Sequence, residues 1–307
     1  MKMKFDVFGK TQPDPFIFED DDDKLYLYVS GIEGEAYGVE AYSADDLFGI
    51  WHYEGIVAHV DNCKYYWAPS VIKHNDKYYM YVSYEDGDNH QFMHVLSSDS
   101  PLGPFQNPIQ LYDRFSIDSH IVKTDEGLFL WYAENNREPE RIGTRVFVDK
   151  LIDPVTPANI CREVIVPTMD EEIFTESWRE DNNWHTIEGP FWFREGDWQY
   201  VMYSGGCYND ETYHVGYAAA KTDEQDLTKI DFVKHTNNGK FDPVLIMNDW
   251  EEGTGHNSVI KYKGEYYALY HARDFDLHHL PEARTARICK LHVADGIITA
   301  ETYERHI

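Results

Sequence analysis

The sequence predicts an all-β fold, a five-bladed β-propeller that takes up all 307 residues as a single domain. One observation is a segment of alternating aromatic and aliphatic residues that follows a charge or turn residue and occurs five times: residues 23–30, 76–83, 126–133, 196–204 and 264–271. Another is the spacing of 53, 51, 71 and 67 residues between one tyrosine of each segment and the next: Tyr28, Tyr81, Tyr132, Tyr203 and Tyr270. A repeat of this length holds about four short strands, which is the size of a propeller blade.

Each repeated segment has the composition of a β-strand. Aromatic and β-branched residues are enriched, none of the segments has helical spacing, and the polar residues in front of each predict a hairpin turn. A second apolar segment precedes each repeat: residues 14–18, 67–72, 118–122, 188–193 and 256–260. In a propeller, we expect this preceding segment to be the innermost strand of its blade, beside the central axis.

Residues 168–183 lengthen the interval between the third and fourth repeats and are rich in charged side chains. Their charge pattern favours a short solvated helix or loop over a functional element. No linker or second domain is expected after the fifth repeat.

The charge of the chain excludes two classes of partner. With 27 Lys and Arg against 55 Asp and Glu, the net charge is −28, so nucleic acid and anionic membrane are not expected partners. The 42% of hydrophobic and 15% of aromatic residues are ample for a packed core. No run approaches the roughly 20 apolar residues of a membrane span, and no apolar block typical of a signal peptide follows the first residues. We therefore expect a cytoplasmic protein.

The first residues of the five preceding segments are predicted to form a ring at one mouth of the axis. They lie 14 or 15 residues before the tyrosine of their own repeat: Asp14, Trp67, Asp118, Glu188 and His256. Equivalent offsets in a repeat imply equivalent positions in space. Because unpaired buried charge is destabilising, three carboxylates converging on one concavity indicate an active site.

Each of these acids also has a structural interpretation. A single Asp beside proline is usually a turn former, and a single Glu before Gly-Pro is usually in a loop. The register that the acids share across the repeats is the observation that favours a site.

Carboxylates in this arrangement can cleave a glycosidic bond, which needs an acid for the leaving oxygen and a carboxylate that attacks the sugar or activates water. Glu188 is the predicted acid, because its apolar neighbours would raise its pKa by burial. Asp14 is the predicted base, because the prolines on both sides are expected to keep its backbone extended and fix its carboxylate. Asp118 is predicted to tune the pKa of the acid by like-charge repulsion and to help orient it.

The sequence motifs around these residues resemble those of glycoside hydrolase family 43 over essentially the whole chain. The motifs are Asp14-Pro15-Phe16, Trp67-Ala68-Pro69, Asp118 within residues 116–120, Glu188-Gly189-Pro190-Phe191 and Gly255-His256-Asn257-Ser258. The resemblance implies a five-bladed propeller that hydrolyses arabinose- or xylose-containing glycosides with inversion. It also implies Asp14 as general base, Asp118 as pKa modulator and Glu188 as general acid.

Four further residues are predicted to bind the substrate. Trp67 is expected to stack on the sugar ring or to wall the pocket, and Phe16 and Phe191 either do the same or belong to the inner core. Arg284 begins a segment, residues 284–288, that resembles the family segment whose first arginine reaches the sugar. A surface ion pair is the alternative for this arginine, whose planar donors suit hydroxyls or a carboxylate.

His256 is the candidate metal residue. A lone histidine on a strand is more often a hydrogen-bonded core residue, but the resemblance implies an ion near this position on the axis, commonly calcium. Calcium prefers oxygen ligands, so we expect such an ion to be mostly hydrated and structural. No cofactor is expected to be required for the chemistry.

The expected function is that of an inverting exo-glycosidase that removes arabinose or xylose from short plant-derived oligosaccharides. An α-L-arabinofuranosidase is favoured over a β-xylosidase or an exo-arabinanase. A propeller lectin that binds sugar without cleaving it is the alternative from another class, although a lectin has no need of an acid and base at repulsive positions. A related enzyme acting on fructosides or β-mannosides is a third; its phosphorolytic form would require a cluster of Arg or Lys for phosphate.

Overall fold

Five antiparallel sheets, each built from strands that follow one another along the chain, form a five-bladed β-propeller. The computed structural model describes residues 3–4, 11–31, 38–87, 90–137, 140–174, 183–277, 280 and 283–301. Within these ranges the regular secondary structure is almost entirely strand, as the sequence predicts.

The strands are numbered in chain order, beginning with the two-residue strand β1 (Met3–Lys4). Blade 1 contains β2 (Phe16–Glu19), β3 (Leu25–Val29), β4 (Val39–Ala44) and β5 (His52–Ala58). Blade 2 contains β6 (Lys64–His74), β7 (Lys77–Glu85), β8 (Gln91–Ser98) and β9 (Gln106–Gln110). Blade 3 contains β10 (Ile117–Thr124), β11 (Gly127–Asn136), β12 (Gly143–Asp153) and β13 (Thr156–Ile165).

Blade 4 contains β14 (Ile187–Glu195), β15 (Trp198–Gly205), β16 (His214–Lys221) and β17 (Val233–Lys234). Blade 5 contains β18 (Glu251–Tyr262), β19 (Glu265–Asp274), β20 (Thr285–Ala294) and β21 (Ile297–Ala300). Three short 3-10 helices lie at Asp170–Glu172, Leu227–Lys229 and Phe275–Leu277. No helix in the described part of the chain is long and apolar enough to cross a membrane.

The first strand of each blade lies beside the axis. β2, β6, β10, β14 and β18 contact one another around the ring, which confirms the predicted innermost strands. The ring closes between blades 5 and 1, where Ser258 Oγ accepts the Ile17 N–H at 3.1 Å and donates to the Pro15 carbonyl at 2.8 Å. β1 adds to the same closure by pairing with β20 of blade 5.

A β-bulge interrupts the innermost strand of blades 2 to 5 near its start, where the pairing with the second strand shifts register. Blade 1 has the same geometry, because Ser30 N–H donates to the Pro13 carbonyl while Phe16 pairs with Tyr28. One residue of every bulge has a left-handed backbone, with φ between 46° and 61°: Asp14, Ala68, Asp118, Gly189 and His256. These five residues are the structurally equivalent set.

This set corrects the predicted ring by one residue in two blades. Asp14, Asp118 and His256 occupy the left-handed position, whereas Trp67 and Glu188 each precede it. The chosen tyrosines are not all equivalent. In blade 1, the paired residues Phe16 and Tyr28 are twelve residues apart along the chain. The matching pairs in the other blades are eleven residues apart, so the turn between the first two strands of blade 1 is one residue longer.

Two other expectations are also wrong. Asp14 is not extended, despite its two proline neighbours; its φ is 54°, a conformation that Asp tolerates better than most residues. The segment at 168–183 is not simply a solvated face, because Glu172 is fully buried and pairs with Lys234. Residues 175–182 of that segment lie outside the described residues.

Candidate active site

A cavity of about 380 Å³ lies where the five bulges meet, and every blade contributes to its wall. Its lining residues are Asp14, Tyr65, Trp67, Ile117, Asp118, Glu188, Tyr208, Tyr213, His256 and Arg284. The structure therefore brings together the three predicted catalytic carboxylates and three of the other predicted site residues.

Asp14 lines this cavity and is buried by contacts from blades 1 and 5. Its Oδ2 accepts a hydrogen bond of 2.5 Å from the Ser30 hydroxyl, and its Oδ1 lies 3.3 Å from His256 Nδ1 and 3.8 Å from Arg284 Nη1. Burial alone would raise the pKa of Asp14, but His256, His271 and Arg284 outweigh it and hold the pKa well below its usual range. Asp14 is thus ionised across the working pH range.

The two histidines beside Asp14 are neutral at pH 7. Burial lowers the pKa of His271 to about 3 and also lowers the pKa of His256, although the charge of Asp14 opposes both shifts. At neutral pH the carboxylate of Asp14 is consequently held by the Ser30 hydroxyl and the Arg284 guanidinium, while His271 Nδ1 accepts the Asp14 N–H at 3.1 Å.

Glu188 has the properties of a proton donor. Its Oε1 accepts a hydrogen bond of 2.8 Å from the Tyr213 hydroxyl. Burial raises the pKa of Glu188 to about 7, with the charge of Asp14 adding to the rise and Tyr213 and Arg284 opposing it. Tyr213 stays protonated, because burial and the charge of Glu188 raise its own pKa well above the usual value.

Asp118 is a second carboxyl of the cavity with a raised pKa. Burial, Glu188 and Asp14 raise its pKa well above the usual value, and only the N–H of Gly189, 2.9 Å from Oδ2, opposes them. Because Asp118 and Glu188 interact this strongly, they titrate as a pair that retains a proton near neutrality.

The end of the second strand in each blade faces the bulge. The residues at this position are Ser30, Ser83, Ala133, Ser204 and His271. Three of them accept the N–H of the left-handed residue in the next blade: Ser30 from Ala68 at 2.7 Å, Ser204 from His256 at 2.7 Å and His271 from Asp14 at 3.1 Å. These side chains fix the bulges that carry the site.

Arg284 lines the cavity. It is not in a surface ion pair, which is the alternative that the sequence left open. Only 7% of the residue is exposed, and its Cζ lies 4.8 Å from the centre of the Tyr208 ring. The loop that carries Tyr208 is fixed by Arg273, which donates to the Tyr208 carbonyl at 2.6 Å and pairs with Glu252 at 3.2 Å. Both members of that ion pair are buried.

Trp67 and the two predicted phenylalanines have different environments. Trp67 lines the cavity with part of its surface exposed. Phe16 and Phe191 do not line it; both are buried around His120, whose ring stacks on Phe191 with a centroid distance of 4.0 Å. The structure therefore places both in the inner core, which is the second of the two environments expected for them.

His256 lines the cavity, but the described residues hold no group of three or more His, Cys, Asp or Glu side chains arranged for a metal ion. Its Nδ1 faces Asp14 Oδ1 at 3.3 Å and Asp118 Oδ2 at 4.0 Å. These residues fit only an ion whose ligands are mostly water, so axial calcium stays a prediction.

Several residues of the site were not identified from the sequence. Tyr65, Ile117, Tyr208 and Tyr213 line the cavity, and Ser30 and His271 hold Asp14. A signal for the last two was available, because Ser30 and His271 end their repeats just as Ser83, Ala133 and Ser204 do. Tyr208 and Tyr213 follow a strand into a loop that has no counterpart of the same sequence in the other repeats.

Comparisons with known proteins identify relatives of the whole chain. The profile described as "Glycosyl hydrolases family 43" matches residues 6–298. Among solved structures, a thermostable family-43 glycoside hydrolase is 27% identical with a TM-score of 0.81, and the match covers 99% of this chain and 97% of that one. No curated protein matches.

Two other solved structures share the fold at lower identity. An endo-1,4-β-xylanase from Bacteroides thetaiotaomicron is 23% identical, with a TM-score of 0.77 and 95% of both chains covered. An α-L-arabinofuranosidase from Lactobacillus brevis is 19% identical, with a TM-score of 0.75, and the match covers 94% of this chain and 93% of that one.

Proposed function

The chain belongs to glycosyl hydrolases family 43, and on that premise we propose that it is an inverting exo-glycosidase that removes terminal arabinose or xylose from short plant-derived oligosaccharides. We favour α-L-arabinofuranosidase activity, with β-xylosidase and exo-arabinanase as alternatives. One observation supports the proposal most: one cavity holds a carboxyl whose pKa is raised to about 7, Glu188, beside a carboxylate that stays ionised, Asp14.

In the proposed reaction these two groups act on opposite sides of the anomeric carbon. Glu188 gives its proton to the glycosidic oxygen as the bond to the anomeric carbon breaks. Asp14 takes a proton from a water molecule, whose oxygen forms the new bond from the other face and inverts the configuration. Asp118 is assigned the role of pKa modulator: it forms a coupled pair with Glu188, whose charge raises the pKa of Asp118, and when ionised it opposes loss of the proton from Glu188 by like-charge repulsion.

The size and charge of the cavity support an exo mode on neutral sugars. Its volume of about 380 Å³ is near the lower end of the range of ligand pockets, about 300–1,000 Å³, which favours a terminal sugar over a stretch of polymer. Arg284 is the one cationic side chain among the described lining residues. A phosphorolytic site would need more positive charge for phosphate.

The aromatic residues of the wall suit a sugar ring. Trp67, Tyr65 and Tyr208 lie around the carboxylates with part of their surfaces exposed. Aromatic faces pack well against the apolar faces of sugars. The preference for arabinose over xylose rests on the resemblance to the family, and the following experiment tests it.

The test measures nitrophenol release from α-L-arabinofuranoside and β-D-xyloside substrates, together with hydrolysis of arabino- and xylo-oligosaccharides. Asp14→Asn should lose activity on every substrate, whereas Glu188→Gln should lose it on oligosaccharides and largely retain it on nitrophenyl glycosides, which need no proton donation. Glu195→Gln is the matched control, because Glu195 lies on the same strand but pairs with Lys261 at the surface.

The products of the same reactions distinguish the alternatives. Inversion predicts that proton NMR detects the opposite anomer first, and retention would contradict the assigned mechanism. Activity on the xyloside alone would favour the β-xylosidase. Absence of hydrolysis on all substrates, with sugar binding detected by calorimetry, would support the lectin and overturn the proposal.

A further inference from the structure

We infer that Ala133 is a positioning residue for the acid: by lacking a hydroxyl, it leaves the Gly189 N–H to the carboxylate of Asp118 and so joins Asp118 to Glu188. The inference rests on the proposed roles of these two acids. Ala133 lies on β11, is fully buried and does not line the cavity.

The observation behind this inference is a break in a repeated contact. In three blades the side chain that ends the second strand accepts the N–H of the left-handed residue of the next blade, and these acceptors are Ser30, Ser204 and His271. Ala133 occupies the same place in blade 3, since it pairs with Ile117 as Ser204 pairs with Glu188. It has no polar atom in its side chain.

The amide that this position would otherwise bind belongs to Gly189, which directly follows Glu188. Its N–H donates to Asp118 Oδ2 at 2.9 Å. Gly189 is left-handed, with φ of 57°, and a Cβ there would lie 3.3 Å from the His256 ring, so a side chain at this position would be strained and crowded. Blade 3, which precedes the acid, is thus the one blade with no polar side chain at this position, and a carboxylate binds the amide instead. In blade 2 the hydroxyl is present, but Ser83 Oγ has no hydrogen-bond partner among the described residues.

The consequence concerns where the shared proton of the pair resides. A hydrogen bond from Gly189 favours the ionised form of Asp118 and so shifts the shared proton toward Glu188, where the reaction needs it. A hydroxyl at position 133 would compete for the Gly189 N–H, as Ser30 and Ser204 hold the amides of their neighbours. The proton would then move toward Asp118, and a smaller fraction of the molecules would have Glu188 protonated.

The experiment compares Ala133→Ser with the wild type on two substrates of the same sugar, an oligosaccharide and a nitrophenyl glycoside. We expect kcat/KM on the oligosaccharide to fall by about tenfold or more, since a hydrogen bond to a charged group is involved, and by less than about twofold on the nitrophenyl glycoside. Ala133→Cys adds a similar volume with a weak acceptor and should keep the wild-type ratio.

Each result bears on the inference separately from the proposed function. Lack of activity in the wild type would refute the proposed function itself. With an active wild type, equal losses on both substrates, no loss on either, or the same ratio change in Ala133→Cys would overturn the role of Ala133. Failure of Ala133→Ser to fold, with a folded Ala133→Cys, would also overturn it, because the hydroxyl would then not fit where the four other blades accommodate a polar side chain.

Discussion

Asp14 and Asp118 are held by backbone geometry that is itself unfavourable. Both have positive φ, 54° and 61°, which costs a residue other than glycine about 1–3 kcal/mol. Hydrogen bonds offset this strain: Asp14 bonds through its N–H and its carboxylate, and Asp118 accepts from Gly189. The carboxylates therefore have one orientation before a substrate enters, which is the preorganisation that acid and base catalysis needs.

Activity is predicted to decline above neutral pH as Glu188 loses its proton. Its pKa is raised to about 7, and the reaction needs the protonated form, so kcat/KM on an oligosaccharide should fall as the pH rises through that value. On the acid side the rate should persist toward pH 4, because the pKa of Asp14 is held well below its usual range and the base stays ionised. A pH profile of kcat/KM measures both limbs.

The control for this profile is a nitrophenyl glycoside of the same sugar. Its leaving group needs no proton, so the alkaline limb should flatten for the wild type and disappear for Glu188→Gln. An alkaline limb of equal steepness on both substrates would mean that a group other than Glu188 titrates there.

Single residues were predictable from the sequence where their chemistry is distinctive. Asp14, Asp118 and Glu188 are carboxyls in apolar strand segments, and their motifs identify them. Ser30 and Ala133 were not recognised because the position that they share at the end of a repeat does not by itself indicate a chemical role. Their importance comes from the neighbouring blade, which the sequence of one repeat does not reveal.

At the scale of elements, the segment between β13 and β14 is fixed by a buried ion pair. The carboxylate of Glu172 accepts the N–H groups of Thr168 and Met169, its backbone carbonyl accepts the N–H of Thr186, and its side chain pairs with Lys234. Thr186 is two residues before the proposed acid. This segment thus sets where β14 begins.

Replacement of Lys234 by methionine is predicted to destabilise the protein by about 3–5 kcal/mol, since it leaves a fully buried carboxylate without its cation. Urea unfolding followed by tryptophan fluorescence measures the change. The control is Lys229→Met, whose ion pair with Asp226 is largely solvated on the lysine side and should contribute about 1 kcal/mol or less. Equal losses in the two variants would show that burial of Glu172 does not govern the effect.

The strands were more predictable than their exact register. Alternating aromatic and aliphatic residues identified the first two strands of each blade. The bulges were not identified, because a bulge adds a residue without changing the composition of the strand. The tyrosines were also not all equivalent: in the strand pairing, Tyr132, Tyr203 and Tyr270 lie one position beyond Tyr28 and Tyr81 and face the other side of the sheet.

At the scale of the whole molecule, Gln12 joins the first blade to the last. Its N–H donates to the Arg284 carbonyl at 2.8 Å, and its Oε1 accepts the Ala286 N–H at 3.2 Å, in fully buried surroundings. The repeats predicted the number of blades, but this closure was not predictable, because no sequence pattern relates Gln12 to Arg284 and Ala286 at the other end of the chain. It also ties the ring seam to Arg284, which lines the cavity.

Gln12→Ala is predicted to lower the free energy of unfolding by about 1–3 kcal/mol, because the Ala286 N–H becomes a buried donor without a partner. Chemical unfolding by circular dichroism measures the loss. Gln106→Ala, at an exposed position on β9, is the control and should change stability by less than about 0.5 kcal/mol. A loss no greater than that of the control would show that the seam does not depend on Gln12.

Calcium is predicted to raise the midpoint of thermal unfolding by more than its contribution to ionic strength explains. The chain carries a net charge of −28, so any salt should raise the midpoint of thermal unfolding by screening self-repulsion. An ion bound near His256 would add a further rise that grows with free calcium, because it binds only the folded state. Melting curves in CaCl2 and MgCl2 at equal ionic strength separate these effects. The extra rise should disappear in His256→Ala, and identical curves for the two salts would mean that no calcium site lies on the axis.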